Sequence, residues 1–396
     1  MIVELADNDA ADCDKTGGIG YNGAGAARIA VMPRVVCRRS AKMIATIQAC
    51  LLVRMLVAAA DAEAAEFIRV DRLSQHVAIA YWPGIDRRCN LTAVQSSKGL
   101  VIIDTEASPR LMAPIKARIE KTFGRDDWAY VVNTHAHDNH CSGNSLFKGA
   151  TIVGHDNLAQ DMEWLIRRQT EPDFRRRELD RYNAILRDLQ AALPRYAANP
   201  AFTKLIRSDL VFYKLFVQDL EEGYEVVRPT LTFSDKHTLD LGDVTLELVY
   251  FGKGHSDSDI LIYIAQDRIL VTGAIAYQQG HLPEIGEQTR LEDVRRFIAA
   301  LDGLLAEGVR IDRVIPGHSP PLTRGALPPI RDYYQRMLAE VQAARDQGLT
   351  LDETLRRLTL RAKFPAFRDP PVNHYGYGGQ ERNVRNLWRI LAEHQE

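Results

Sequence analysis

Three histidines crowd into six residues in the segment His135-Ala136-His137-Asp138-Asn139-His140, directly behind the apolar run 129–133. The whole chain of 396 residues holds only eleven, so packing needs alone do not produce this density. Imidazole is a common zinc ligand, and two rings two residues apart on an extended or turning segment reach a single ion. Such a loop has to be presented by a strand end, since functional side chains concentrate on loops held by a rigid scaffold. The feature therefore asks for a β-containing domain whose strand ends converge.

The surrounding pattern supplies one. Short runs rich in β-branched residues at 76–82, 91–95, 100–104, 129–133 and 151–153 are bounded by Gly, Asp or Pro and read as strands. Between them Pro109–Phe123 carries Leu111, Ile115 and Ile119 at a spacing of four, behind a proline suited to a first helical turn. That spacing predicts an amphipathic helix lying on a sheet. Strand signals return at 230–233, 244–250, 260–264 and 269–272, followed by a helix at 291–305 and a strand at 313–315. Segment 156–222 has another character: helix-like, dense in Arg, Leu and Tyr, with breaks at Pro172, Pro194 and Pro200. It reads as a helical insertion. Its apolar residues Leu205, Ile206, Leu210, Phe212, Tyr213 and Phe216 need a covering surface, expected to be the sheet domain, the mouth of the active site or a second copy in a homodimer. The chain from 326 to 396 is mostly helical.

The first 66 residues do not share this pattern. Arg38, Arg39 and Lys42 precede an apolar stretch, 44–60, interrupted only by Gln48 and Arg54, and Ala58, Ala60, Ala62 and Ala64 follow. This is the layout of a signal peptide with an A-x-A cleavage site, and it is too short for a stable membrane span. One reading is export to the periplasm or secretion, with a mature start between Glu63 and Glu66; the other is an uncleaved leader on a cytoplasmic protein, or a true start at Met43. Cys13, Cys37, Cys50, Cys89 and Cys141 are odd in number and lack C-x-x-C spacing, so no disulfide framework or cysteine-rich zinc site is indicated. The 50 basic and 52 acidic side chains nearly cancel without long runs of one sign, which leaves no electrostatic footprint for nucleic acid. A small-molecule substrate is the expected partner.

Two later strand ends repeat the histidine theme: Gly252-Lys253-Gly254-His255-Ser256-Asp257-Ser258-Asp259 and Pro316-Gly317-His318. In order and context the motifs resemble the metallo-β-lactamase superfamily, with its His-x-His-x-Asp-His loop, then Gly-His-[Ser/Thr], Gly-Asp and Gly-His. The likeness spans about residues 75–320 and takes in Asn90-Leu91-Thr92 and the run from Gly99 to Thr105, whose Asp104 looks like the family's buried aspartate. The resemblance implies an α/β (α+β) fold, the αββα sandwich, over residues 67–325 with the insertion at 156–222, between a leader 1–66 and a helical C-terminal extension 326–396. It also implies that His135, His137 and His255 form a three-His zinc site and that His140 and His318 belong to a second site.

Two positions depart from the family. Asn139 stands where a second-site aspartate is usual, with Asp138 one residue earlier, and Val271-Thr272-Gly273-Ala274 puts Ala274 where an acid is usual. An amide offers a neutral oxygen and an alanine offers nothing, so the second site loses both anionic ligands and one zinc ion is expected. Zinc on three neutral imidazoles keeps its charge, lowers the pKa of water toward ~7 and polarises a carbonyl. The resemblance thus implies a metal-dependent hydrolase of an amide, ester, lactone or thioester bond, β-lactams included. Asp138 and Asn139 are the catalytic candidates of the loop; Asn139 cannot accept the proton that the family's aspartate handles, a task for which Asp138, Asp257 or Asp259 can substitute. Each acid also has a structural reading, in loop hydrogen bonds or behind His255. His155, His281, His374 and Cys141 read as loop or packing residues that lie within reach of the same site. A metal- or ligand-binding protein with reduced or lost catalysis is the alternative that the departures favour. An iron oxidoreductase of this fold has no support from a His-x-Glu-x-Asp pattern.

Overall fold

A computed structural model describes residues 63–85, 89–276, 282–358, 364, 367 and 379–393. The leader expected at 1–66 falls almost wholly outside the described residues, as do His281 and His374.

Alternation along the strands decides the layering. Strands β1 (Arg69–Arg72), β2 (Val77–Tyr81), β3 (Leu91–Ser96), β4 (Gly99–Ile103), β5 (Trp128–Val132), β6 (Thr151–His155) and β7 (Leu231–Phe233) form one sheet in sequence order. Strands β8 (Lys236–Asp240), β9 (Thr245–Tyr250), β10 (Ile260–Ile264), β11 (Ile269–Gly273) and β12 (Arg313–Pro316) form the other, in the order β12-β11-β10-β9-β8. Successive strand residues point to opposite faces. Val77, Ile79, Val94, Val101, Ile103 and Val132 accordingly meet Leu246, Leu248, Ile260, Ile262, Val271 and Ile315 between the sheets. Their neighbours of opposite parity, among them Ile102, Val131 and Ile152, face helix α1 (Pro109–Phe123) on the outside of the first sheet. Leu261, Leu270 and Val314 face α7 (Leu291–Leu305), α8 (Leu327–Asp346) and α10 (Gln380–Glu393) outside the second. The result is the expected αββα sandwich.

The insertion comprises α3 (Leu158–Asp161), α4 (Glu163–Thr170), α5 (Pro172–Arg195) and α6 (Pro200–Glu222). Pro172 and Pro200 each occupy a first helical turn, where no backbone N–H is missed, and Pro194 sits near the end of α5. The apolar face of α6 is buried within the chain: Val211, Phe212, Leu215 and Phe216 join the core of the first sheet with Trp82, Leu111 and Ile115. Trp82 meets Phe212 edge to face at 5.6 Å, and its indole N–H donates to Ser208 Oγ at 2.8 Å. Of the three covers expected for this face, the sheet domain is the one found: it packs on the chain's own first sheet and α1. Helix α9 (Leu351–Arg357) lies in the extension, opened by a capping box at Thr350 and Glu353. Among the described residues no helix is long and apolar enough to cross a membrane.

Parallel pairing of β4, β5, β6 and β7, and of β11 with β12, sends the carboxyl ends of these strands to a common edge. The loops leaving that edge carry Asp104, His135–His140, Gly273 and His318.

Because Phe216 is buried at 1% exposure among these groups, its truncation leaves a cavity. Phe216→Ala is expected to lower stability by about 3–5 kcal/mol, read from urea unfolding of the purified protein.

Candidate metal centre

The histidine loop is braced before any ligand is considered. Asn133 Nδ2 donates to the His140 carbonyl at 2.8 Å, Asn144 Nδ2 donates to Asn133 Oδ1 at 2.8 Å, and the Thr105 hydroxyl donates to Asn144 Oδ1 at 2.8 Å. His137 is extended (φ −79, ψ 152) at the N-cap of the one-turn helix α2 (Asp138–Cys141), and His140 lies within that turn. Asp104, buried at the end of β4, accepts from the Thr134 N–H and hydroxyl at 2.8 Å each, and from His140 Nδ1 at 2.7 Å. Gly273, at φ +50, lets β11 close on this loop, since a Cβ there would come 2.8 Å from Thr134 Oγ1.

His135 and His255 each have one nitrogen engaged and the other turned inward. His135 Nδ1 donates to Thr134 Oγ1 at 3.0 Å, and His255 Nδ1 donates to Glu284 Oε2 at 2.7 Å. The inward atoms meet at His137 Nδ1, 3.2 Å from His135 Nε2 and 2.9 Å from His255 Nε2. A tetrahedral ion with metal–nitrogen bonds of ~2.0–2.1 Å needs ligand atoms roughly 3.3 Å apart, so this donor set suits zinc. His140 presents Nε2 to His318 Nε2 at 3.1 Å, and the Asn139 amide nitrogen is 3.2 Å from the same His318 atom. The amide therefore faces the second pair of imidazoles, and Ala274 at the end of β11 brings no ligand. His318 is held by Asn90, whose Nδ2 donates to the carbonyls of Pro316 and Ser319 at 2.6 Å each.

The remaining candidates separate clearly. Asp138 accepts from the Asn139 N–H at 2.8 Å and from the wholly buried Arg168 of α4 at 2.8 Å, which commits its carboxylate to the insertion. Arg168 also donates to the Tyr224 hydroxyl at 2.6 Å and lies over the Trp164 and Phe216 rings. Asp259 caps the turn that bears His255, accepting from its backbone N–H at 2.7 Å, whereas Asp257 pairs with Lys253 at 2.8 Å. His155 stacks on Tyr250 and faces the Ser234 carbonyl at 2.9 Å, outside the cluster. Cys141 donates to the His137 carbonyl at 3.1 Å; Cys89 lies 3.3 Å from His140 Nδ1, beside Asp104. Glu284, Arg168 and Cys89 are absent from any motif, because their places come from tertiary packing and no local pattern announces them.

Charge follows burial. His135 and His137 are pushed well below their ordinary 6.5 by burial, reinforced by neighbouring rings. Burial pushes His255 the same way, but the charge and hydrogen bond of Glu284, with Asp259 behind, outweigh it and leave this ring above 6.5. Burial raises the Asp104 carboxyl to about 8 against the downward pull of its two bonds from Thr134. Both Cys89 and Cys141 are driven up by burial and stand as thiols.

The family model of the metallo-β-lactamase superfamily matches residues 84–318, more than half of the chain. The chain belongs to the metallo-β-lactamase superfamily. Curated relatives include the metallo-β-lactamase type 2 proteins of Bacillus cereus and of Bacillus sp. (strain 170), each 21% identical over 252 residues, 64% of this chain and 75% of the relative. Among solved structures, a stereoselective inverting sec-alkylsulfatase from Pseudomonas sp. superposes with a TM-score of 0.55 at 16% identity, over 81% of this chain and 49% of that one. This chain thus spans about half the length of the alkylsulfatase, and the likeness is one of fold. The superfamily is mostly one of hydrolases, and this chain holds a His-rich candidate metal site in which His135, His137 and His255 bring their ligand atoms together.

Burial keeps His135 and His137 neutral at neutral pH, so an ion taken up there would displace a proton from His255 alone. Zinc affinity is expected to rise by about tenfold per pH unit below the His255 pKa and to flatten above it, read from a chelator competition followed across that break. A slope climbing toward three as soon as the pH falls below the ordinary imidazole value of 6.5 would show that His135 and His137 bind their protons as free imidazoles do.

Proposed function

We propose that this chain is a metal-dependent hydrolase working with one zinc ion on His135, His137 and His255, on a small molecule with an amide, ester, lactone or thioester bond. The observation that carries this reading is the convergence of His135 Nε2, His137 Nδ1 and His255 Nε2 within hydrogen-bond distances of about 3 Å while Thr134 and Glu284 occupy two of the outward nitrogens. Zinc held there would lower the pKa of water toward ~7 and polarise a carbonyl oxygen. The residues' own tasks are to keep His135 and His137 neutral by burial, to fix the His135 and His255 tautomers through Thr134 and Glu284, and to hold the cluster at the strand ends.

The departures at Asn139 and Ala274 favour a second reading, a binding protein of this fold with reduced or lost catalysis. Asp138 is tied to Arg168 and Asn139 is an amide, so neither offers a free carboxylate to take a proton beside the first site. Metal analysis combined with a panel of amide, ester, lactone and thioester substrates separates the two. Under the hydrolase reading, protein purified without added metal carries about one zinc, turns over at least one class, and loses both ion and turnover in His137→Ala. A full equivalent of metal retained by that variant would falsify the ligand assignment, and a loaded protein inert across the panel would leave the binding reading standing.

Restoring the carboxylate provides a separate check. Asn139→Asp places an anion against His140 and His318, so metal content is expected to climb from about one ion toward two and the pH–rate profile to shift. Wild-type protein that already binds two ions with comparable affinity would contradict a weakened second site.

A further inference from the structure

We propose that the C-terminal helix α10 is a positioning element of the metal centre: Asn383 and Asn386 hold the main chain of 283–285 so that Glu284 keeps the His255 ring turned toward the ion. The proposal rests on the reading of His135, His137 and His255 as zinc ligands and extends it to a part of the chain that carries no histidine motif.

The segment 282–286 has no regular secondary structure, so its backbone groups must be satisfied from outside. Side chains do this where a neighbouring strand would otherwise be needed. Asn383 Oδ1 accepts from the Ile285 N–H at 3.0 Å, and its Nδ2 donates to the Pro283 carbonyl at 2.8 Å and to the Tyr333 hydroxyl at 2.7 Å. Asn386 Nδ2 donates to the Ile285 carbonyl at 2.7 Å, and the Tyr334 hydroxyl of α8 donates to the Glu284 carbonyl at 3.2 Å. Asn383 and Asn386 are buried, at 4% and 8% exposure. Further along, Arg389 of α10 donates to the Glu287 carbonyl at 2.8 Å.

The opposite side of the same segment lies on the ligand loop. A Cβ on Gly286 would come 2.6 Å from the Gly254 carbonyl, next to His255, and the Thr289 hydroxyl donates to the Lys253 carbonyl at 2.5 Å. The segment is thus a wedge between α10 and the His255 turn, with Glu284 reaching across it to Nδ1. A carboxylate on the far nitrogen of a metal-binding histidine fixes the tautomer, aims the ring and makes it more basic toward the metal. Here it has an additional task. With Asn139 and Ala274 in place of acids, Glu284 supplies a negative charge one ring away from the ion. The bland alternative is that the asparagines merely stitch the extension to the sheet domain, which would affect stability and leave the metal untouched.

Zinc affinity of the full-length protein, measured by competition with a chromophoric chelator, tests this alongside the d–d spectrum of the cobalt-loaded form. Glu284→Gln is expected to lose about 10–100-fold in zinc affinity and to shift the cobalt spectrum. Asn383→Ala and Asn386→Ala should each lose affinity in the same direction, and Glu284→Gln combined with Asn383→Ala should lose no more than Glu284→Gln alone, since both act through one contact. Arg385→Ala, on the exposed side of α10 where it pairs with Glu381, should leave affinity unchanged. Thermal melting identifies a variant that fails to fold; Asn386→Ala then carries the test in place of Asn383→Ala. Wild-type affinity in Glu284→Gln, or additive losses in the double variant, overturns the positioning role while the zinc reading stands. Wild-type protein that takes up no zinc overturns both.

Discussion

At the end of β4 the backbone of Asp104 turns into the left-handed region, φ 67, and from there its carboxylate reaches the histidine loop. Aspartate is among the few side chains that tolerate this conformation. One oxygen takes the Thr134 N–H, while the other takes the Thr134 hydroxyl and the His140 ring. Thr134 in turn receives His135 Nδ1. A single buried acid therefore sets the orientation of a ring in the first group and of a ring in the second. In a medium this dry such bonds are strong when complete, and each donor left without its acceptor costs about 1–3 kcal/mol. The rest of the centre is arranged around that fixed point: Asn90 clips the His318 turn, Gly273 lets β11 approach, and Glu284 steadies His255 from the far side.

Much of this was legible in the sequence, for identifiable reasons. Pro109–Phe123 is a helix with the bounds its spacing and proline predict, since Gly124 ends it in the left-handed conformation at φ 69. Central strands such as β4 and β11 are covered on both faces, so they read as unbroken apolar runs between glycines and polar loops. Strands β1 and β8 went unread although the outer strands β7 and β12 were read. In β8 only Leu239 is buried, and Arg69–Arg72 buries none fully, so hydrophobic pattern had little to register. The clustering of the five histidines was legible because they stand in short motifs at strand ends, which the fold brings to one place. Glu284, Arg168 and the paired asparagines of α10 were not, because an acid after a proline or an arginine in a helix carries no pattern until the fold sets its neighbours.

Asp138 illustrates how one position answers to two demands. Beside Asn139 it looks like a displaced catalytic acid, yet its carboxylate is bound to the buried Arg168, whose own guanidinium is stacked between aromatic rings of the insertion. Removing one partner of a buried pair leaves an uncompensated charge, so the two residues are held to each other. The insertion thereby becomes a structural wall of the histidine loop, although its large apolar face is spent on the first sheet. That arrangement explains why a helical segment of this length can be accommodated without disturbing the strand ends.

The histidines of the two groups are distributed from residue 135 to residue 318, across both sheets, and the turn of the last of them is fastened by Asn90, just before β3. A ribosome delivers these pieces in order. When the first sheet has emerged, the chain holds His135, His137 and His140 but not the turn that bears His255, and the Asn90 amide waits for carbonyls that have not yet been made. The centre closes only when the second sheet docks, and its steadying helix, α10, is the last described element to leave the tunnel. On the proposed zinc reading, loading with metal would be a late event in the life of each molecule, and a chain stopped short of α10 would carry its histidines with the His255 ring unsecured.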